Sequence, residues 1–300
     1  MAKILITESV HPIGPELLTA AGHTVVYANR DMDVIRREIV DADAVLVRII
    51  ELPGSLLATA KNLKIVSKHG VGHGIAVTIT PNANSLSVAE HAFTLMLTLA
   101  KNIIPVSNEY RTVGFAAKNH APGIEMTGKT LGLIGMGRIG KHILHMCRDG
   151  LDMHVIVYDP YISEVPEGVE RVDDLSELLR RADVVTLHCL LTDETRKLID
   201  RERLALMKPT ALLINCARGP IVDEAALIEA LENGRLAGAG LDVTDPEPVA
   251  PDSPLFKLPN VIVTPHYAPT TVESATRVSK IAAENINAVL AGQEPVGRIV

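Results

Sequence analysis

Three glycines in a G-x-G-x-x-G motif constrain the fold of this chain more than any other feature. Gly135, Gly137 and Gly140 follow a short apolar run and open a helix-like segment. The first glycine permits a tight turn, the second permits close approach to a pyrophosphate, and the third permits helix–strand packing. Free N–H groups at the helix N-terminus also favour phosphate. The motif predicts a dinucleotide site that includes Arg138 and Ile139.

An acidic residue follows the next apolar run at the spacing expected for ribose recognition. Asp159 lies 19 residues after Gly140 and precedes Pro160. A carboxylate there accepts hydrogen bonds from ribose hydroxyls and repels a 2′-phosphate. The sequence therefore predicts NAD as the cofactor, in contact with Asp159 and Pro160. The alternative is an ordinary strand–helix turn with a solvated Asp159.

Strand-like and helix-like segments alternate on both sides of this motif, which predicts parallel sheets covered by helices. The first series of strands is expected at residues 3–7, 24–27, 44–47, 63–66 and 76–80. The second series is expected at residues 131–134, 155–158, 184–188, 212–216, 240–243 and 261–264. A chain of 300 residues is also long enough for two hydrophobic cores.

A long helical pattern separates the two series, with a capping-box spacing at Ser87 and a continuation toward Ile104. A last helix, over residues 271–290, is expected to return to the first domain. The predicted domains are therefore residues 1–100 with 268–300, and residues 101–267.

Composition excludes several classes of protein. The net charge of -7 argues against nucleic acid as a partner. No apolar stretch reaches the roughly 18 residues that a membrane span needs. The three cysteines and the N-terminal segment fit neither a disulfide framework nor a signal peptide, so we expect a cytoplasmic protein. His142 and His145 lack a third ligand nearby, and no metal is predicted.

Three further motifs lie where predicted strands of the second series give way to loops, which is where open α/β sheets bind ligands. They contain Arg218, Glu247 and His266. A guanidinium suits a carboxylate, an imidazole suits proton transfer near neutral pH, and a carboxylate can orient and tune that imidazole. Together with NAD, this set predicts hydride transfer at C2 of a small 2-hydroxy acid.

The chain resembles the D-isomer-specific 2-hydroxyacid dehydrogenases, particularly their D-3-phosphoglycerate dehydrogenase-like members. The resemblance rests on motifs at residues 87–91, 128–140, 215–224, 241–248 and 264–266. It implies a Rossmann NAD-binding domain inserted into a flavodoxin-like substrate domain, both doubly wound, and a homodimer. It also implies catalytic roles for Arg218, Glu247 and His266.

The resemblance implies further binding residues. Cofactor-lining positions are Cys216, Ala217 and Asp242, and substrate-binding positions are Arg48, Gly70, Val71 and Gly72. For His188, which ends a predicted strand, contact with NAD and simple packing are both open. Arg48, Lys68 and His69 either form a patch for a second anionic group or are ordinary surface and packing residues.

The chain departs from the family pattern where substrate selectivity is expected. About ten residues are absent after Gly72 by comparison, Tyr267 follows His266, and Ile49 follows Arg48. The sequence therefore determines neither the substrate nor the physiological direction. Two alternative functions occur on the same fold. One is a non-enzymatic NAD(H)-sensing, corepressor-like protein. The other is a formate-oxidising enzyme, which Glu247 argues against.

Overall fold

The computed structural model describes residues 1–67, 76–120 and 122–299. The strands are β1 Lys3–Ile6, β2 Thr24–Tyr27, β3 Ala44–Leu46, β4 Ile65–Ser67, β5 Ala76–Thr78, β6 Thr130–Ile134, β7 His154–Tyr158, β8 Val169–Arg171, β9 Val184–Leu187, β10 Leu212–Asn215, β11 Gly238–Leu241 and β12 Val261–Val263. The α-helices are α1 Ile13–Ala20, α2 Met32–Glu38, α3 Gly54–Leu57, α4 Ser85–Ala100, α5 Ile103–Val113, α6 Arg138–Leu151, α7 Leu175–Arg181, α8 Arg201–Leu204, α9 Glu224–Glu232 and α10 Val272–Leu290.

Contacts divide the chain into two compact units. One comprises Met1–Asn84 with Thr270–Val300, and the other comprises Ser85–Pro269. Helix α4 therefore belongs to the second unit, whereas the sequence pattern places the boundary after residue 100. The reason is that the apolar side of α4 packs on strands β10 and β11 of the second sheet.

The first unit is built on a five-stranded parallel sheet in the order β2-β1-β3-β4-β5. One face is buried under the helices that follow β2 and β3, around Ile35 and Ile39. The other face is buried under α1 and the C-terminal helix α10, around Leu18 and Ile286. The two helices can approach closely because residue 14 is a glycine. A Cβ at that position would lie 2.4 Å from the Ser279 Oγ. This sheet has the flavodoxin-like order that was predicted.

The second unit is built on a seven-stranded sheet in the order β12-β11-β10-β9-β6-β7-β8. Every pairing in it is parallel. The order reverses between β6 and β9, and that switch point is where open α/β sheets bind their ligands. The predicted doubly wound α/β fold is confirmed. Strand β8 was not predicted, because it has only three residues and two of them are charged.

The predicted continuation of the bridging helix to Ile104 is wrong. Helix α4 ends at Ala100, and Asn102 takes a left-handed φ of 51° before α5 begins. The helix also begins at Ser85, so Ser87 lies inside it and does not cap it. Among the described residues, no helix is long and apolar enough to span a membrane. The same residues contain no cluster of three metal-ligating side chains.

Candidate active site

The glycine motif forms the turn between β6 and α6. Gly135 has a φ of 89°, and a Cβ there would lie 2.7 Å from the Cys189 backbone nitrogen. A Cβ at Gly140 would lie 2.3 Å from the Gly135 carbonyl oxygen. Gly137 differs, because a Cβ there meets no atom of the described residues within 4 Å and its φ is -71°. The protein itself therefore requires glycine at 135 and 140, whereas the space beside Gly137 is open.

This contrast gives a testable prediction for alanine substitutions in the motif. Gly137→Ala is expected to leave the melting temperature unchanged and to weaken NADH binding at least tenfold, because its methyl group enters the space a pyrophosphate needs. Gly140→Ala is expected to destabilise the fold by about 1–3 kcal/mol through overpacking. Thermal unfolding and NADH fluorescence titration check both. Equal NADH affinity in Gly137→Ala and the unmodified protein would contradict the assignment.

The helix that starts at this turn can receive an anion. Gly137 is the N-cap of α6, and no side chain caps the helix within the described residues. Unpaired N–H groups and the helix dipole both favour a phosphate at such an end. The motif residues Arg138 and Ile139 form the first turn of α6, so the loop fits a dinucleotide pyrophosphate.

Asp159 lies at the end of β7, beside the glycine turn. Its Oδ2 accepts a hydrogen bond from the Met136 N–H at 2.9 Å, and its Oδ1 accepts one from the Tyr161 N–H at 3.0 Å. Each carboxylate oxygen keeps a second lone pair, which leaves acceptor capacity for ribose hydroxyls. Pro160 is exposed next to it. Asp159 therefore also fixes the glycine turn, a role the motif alone did not reveal.

His188 follows β9 and lies against the same turn, since a Cβ at Gly135 would lie 2.8 Å from its carbonyl carbon. Its Nε2 is 2.8 Å from the Thr186 Oγ1. Removal from water lowers the pKa of His188 to about 4, so the ring is neutral at physiological pH. Its buried Nδ1 has no hydrogen-bond partner among the described residues. An orphaned polar atom beside the glycine turn fits a bound cofactor, although contact between His188 and NAD stays a prediction.

A buried asparagine shapes the turn that carries Arg218. The Asn215 Oδ1 accepts a hydrogen bond from the Ala217 N–H at 3.0 Å, and its Nδ2 donates to the Arg218 carbonyl oxygen at 3.0 Å. Cys216 and Ala217 are buried, and Arg218 is exposed with Nη1 donating to the Ala217 carbonyl oxygen at 2.7 Å. Burial raises the pKa of the Cys216 thiol well above its ordinary value, so a nucleophilic thiolate is not favoured.

The Arg218 turn packs directly on the loop that carries Glu247. A Cβ at Gly219 would lie 1.9 Å from the Thr244 carbonyl oxygen, so only glycine allows this approach. Glu224 joins the same two segments, since its Oε2 accepts a hydrogen bond from the Asp245 N–H at 3.0 Å. Burial raises the pKa of Glu224. The two segments, predicted separately, are thus fixed against each other.

Glu247 and His266 form the central pair of the site. The Nδ1 of His266 lies 2.6 Å from the Glu247 Oε1, and each side chain is 42% exposed. A carboxylate on Nδ1 orients the ring and leaves Nε2 for proton exchange. His266 has a left-handed φ of 51°, which is strained for a residue other than glycine. The pair combines access for a small molecule with a fixed ring.

Asp242 organises the loop on which His266 lies. The carboxylate is 1% exposed; its Oδ1 accepts from the Tyr267 N–H at 2.7 Å and its Oδ2 from the Ala268 N–H at 2.9 Å. Its carbonyl oxygen accepts from the His266 N–H at 2.8 Å. Burial alone would raise the pKa of Asp242, but hydrogen bonds from two side chains and two backbone N–H groups hold it below its ordinary value.

The lowered pKa of Asp242 makes part of the protein's stability depend on pH. The ionised carboxylate contributes fully above the unfolded pKa of about 4 and loses its contribution as pH falls through the lower folded pKa. Asp242→Asn is expected to lower the free energy of unfolding at pH 7 by about 1–3 kcal/mol. This difference should shrink below about pH 4 in denaturant titrations. The exposed Asp252→Asn is the control, and a pH-independent difference would contradict the prediction.

The structure describes only part of the substrate-binding positions that the resemblance implies in the first unit. Gly70, Val71 and Gly72, with Lys68 and His69, lie outside the described residues. Arg48 is exposed just after β3. Buried Glu8 holds this segment, because its Oε2 accepts from the Arg48 and Ile49 N–H groups at 2.7 Å each. Glu8 was not predicted, since nothing in the pattern after β1 distinguishes it from a solvated strand end.

Comparisons with known proteins show the family to which the chain belongs. Residues 93–268 match the model of the D-isomer specific 2-hydroxyacid dehydrogenase NAD-binding domain. A "glyoxylate reductase" of Thermofilum pendens is 37% identical over 98% of this chain and 93% of its own length. The chain belongs to the D-isomer specific 2-hydroxyacid dehydrogenase family. The predicted resemblance and the NAD-binding Rossmann domain are confirmed.

Two further comparisons show how far the family likeness extends. A "D-3-phosphoglycerate dehydrogenase" of Methanocaldococcus jannaschii is 41% identical over 98% of this chain, but the chain spans only 58% of that relative's length. A solved structure of a Thermus thermophilus protein superposes with a TM-score of 0.90 at 33% identity, covering 99% of this chain and 100% of the other. These relatives lend no support to the alternative of a non-enzymatic sensor.

Proposed function

We propose that this member of the family is an NAD-dependent D-2-hydroxyacid dehydrogenase, which interconverts a small 2-hydroxy acid and its 2-oxo acid. The observation that carries the proposal is the 2.6 Å contact between His266 Nδ1 and Glu247 Oε1. It lies in the unit whose sheet carries the open glycine turn. Proton exchange at the C2 oxygen requires an acid–base group in a fixed orientation, and hydride transfer requires a dinucleotide. An oriented imidazole in a dinucleotide-binding unit meets both requirements.

Each of these residues has a separate role in the proposed reaction. The turn at Gly137 and the carboxylate of Asp159 hold NAD(H), which supplies or accepts the hydride when bound. Arg218 binds the substrate carboxylate and polarises the C2 carbonyl with its guanidinium. His266, protonated on Nε2, donates a proton to the C2 oxygen during reduction and takes it back during oxidation.

Glu247 acts on His266 and not on the substrate. Because its Oε1 accepts the Nδ1–H, the ring cannot flip or change tautomer without breaking that hydrogen bond. The carboxylate also offsets the positive charge of the imidazolium before proton transfer. A formate-oxidising site needs no such acid–base pair, so Glu247 favours hydroxy-acid chemistry.

The proposal is tested by following NADH absorbance against a panel of 2-oxo acids. The panel comprises glyoxylate, hydroxypyruvate, pyruvate, 3-phosphohydroxypyruvate, sulfopyruvate and oxaloacetate. We expect NADH oxidation with at least one of them, and the relative kcat/KM values assign the substrate. Binding of NADH without turnover of any 2-oxo acid would favour the sensor and overturn the proposal.

We also propose that Asp159 sets a preference for NAD over NADP. Asp159→Asn keeps an acceptor for the Met136 N–H but removes the charge that repels a 2′-phosphate. The ratio of kcat/KM for NADH to that for NADPH is expected to fall by at least tenfold. Asp149→Asn, on the exposed side of α6, is the control. An unchanged ratio in Asp159→Asn would contradict the cofactor assignment.

We further propose a homodimer joined through the NAD-binding unit. Helix α5 in that unit has no buried residue, and exposes Ile103, Tyr110 and the following Phe115 at 54%, 60% and 74%. An apolar patch of this kind is typical of an interface. Light scattering is expected to give twice the mass of the chain, and Phe115→Glu is expected to shift it toward the monomer. A monomer at micromolar concentration would refute this.

A further inference from the structure

A histidine on α4 contacts the loop that carries His266, although the two are far apart in sequence. The Nε2 of His91 lies 3.0 Å from the Thr264 Oγ1, 173 residues away, and 3.4 Å from the Asp242 Oδ1. The His91 side chain is only 17% exposed. Its ring also meets the Tyr267 ring edge-on, with centroids 6.2 Å apart. His91 therefore touches the His266 loop at residues on both sides of His266.

The hydrogen-bond geometry determines which atom donates. The Thr264 hydroxyl has one proton and donates it to the Asp242 Oδ1 at 2.5 Å. Its oxygen can then only accept from His91, so the His91 Nε2 carries a proton and donates it. The result is a directed chain of hydrogen bonds from His91 through Thr264 to Asp242. A residue that cannot donate at this position removes the hydrogen bond that the Thr264 oxygen accepts.

This chain of hydrogen bonds ends at the Asp242 carboxylate, which helps to hold His266 in its strained conformation. A left-handed φ at a residue other than glycine persists only where the surroundings over-determine it. Here the constraints are the Asp242 hydrogen bonds on one side and the Thr264 N–H to Leu241 carbonyl bond of 2.8 Å on the other. His91 fixes the shared oxygen, Asp242 Oδ1, at the centre of these bonds.

We propose that His91 is a positioning residue for the reaction: through Thr264 and Asp242, it holds the loop that presents the His266 imidazole to Glu247. His91 touches neither substrate nor cofactor in this role. The inference rests on the proposed function, because it assigns a second level of control to the same acid–base pair. Substrate turnover should therefore respond to His91 through the orientation of His266.

The test compares His91→Leu with His91→Gln. Leucine cannot donate a hydrogen bond to Thr264. The Gln amide nitrogen reaches about the position of the imidazole Nε2 and can donate one. We expect kcat to fall at least tenfold in His91→Leu, because a misplaced catalytic group is costly. NADH affinity should stay within twofold in both variants, and His91→Gln should keep kcat within threefold. If His91→Leu does not fold, Thr264→Val removes the same link and is expected to show the same loss.

Two outcomes would overturn the proposal. One is a His91→Leu kcat within twofold of that of the unmodified enzyme. The other is a tenfold further loss when His91→Leu is added to His266→Asn, since a residue that acts through His266 has no effect once His266 is gone.

If the unmodified protein reduces none of the 2-oxo acids, the proposed function fails and His91 is judged by NMR instead. The chemical shifts of the His266 ring protons should move in His91→Leu and be restored in His91→Gln. Unmoved shifts in His91→Leu would overturn the positioning role independently of turnover.

Discussion

His266→Asn is expected to lower kcat/KM for the preferred 2-oxo acid by about 100- to 10,000-fold, because asparagine cannot transfer a proton. The Asn side chain retains a polar atom near the position of Nδ1, so the Glu247 carboxylate still has a donor at a site where the wild-type contact is 2.6 Å. NADH binding and the melting temperature should therefore change little. Steady-state kinetics with NADH fluorescence titration separate the two effects.

A matched control exists on α6. The Nδ1 of His145 lies 2.5 Å from the Asp149 Oδ2, so it is also a histidine–carboxylate pair, and its side chain is 75% exposed. His145→Asn should leave kcat/KM within twofold. If His266→Asn retains more than about a third of the activity, the proton-transfer role belongs to another residue.

Gly219→Ala is expected to abolish most of the activity although residue 219 takes no part in the chemistry. The added Cβ would lie 1.9 Å from the Thr244 carbonyl oxygen and 2.2 Å from the Thr244 carbonyl carbon. Neither is the flexible end of a side chain, so the Arg218 turn and the Glu247 loop must separate. A displacement of about 1 Å in a catalytic group can cost about 100-fold in rate. Overpacking should also lower stability by about 1–3 kcal/mol.

Gly150→Ala in α6 is the control, because a Cβ there lies more than 4 Å from every described neighbour. It replaces glycine by alanine inside a helix, which should raise stability by up to about 1 kcal/mol and leave kcat unchanged. Thermal unfolding and steady-state kinetics check both variants. If Gly219→Ala keeps kcat within threefold, the contact between the two loops does not govern the active-site geometry.

The elements that the sequence predicted are those with local signals. Gly135, Gly140 and Asp159 have the spacing of a strand–turn–helix–strand unit, and the order of segments alone places Arg218 and His266 after strands of one parallel sheet. The two-residue period of a strand and the 3.6-residue period of a helix can both be recognised within a short stretch of sequence. Strand β8 has no such period, because three residues are too few to show one.

The contacts that sequence could not predict join distant segments. Gly219 opposite Thr244, Asn215 inside the Arg218 turn and His91 beside Thr264 depend on how the chain closes on itself. No pattern along the chain identifies the partner to which a histidine such as His91 donates. The helix break at Asn102 was missed because the apolar spacing continues past it, although asparagine is one of the residues that end helices in the left-handed conformation.

With the proposed role of Gly137 in holding the pyrophosphate, the open space beside it would make cofactor retention adjustable. Of the three motif glycines, Gly137 alone could accept a larger side chain without a clash with the part of the chain that the structure describes. A graded series of alanine, serine and valine at this position should therefore release the cofactor progressively faster while the His266–Glu247 pair stays intact. Where release of the cofactor limits kcat, Gly137→Ala would raise kcat.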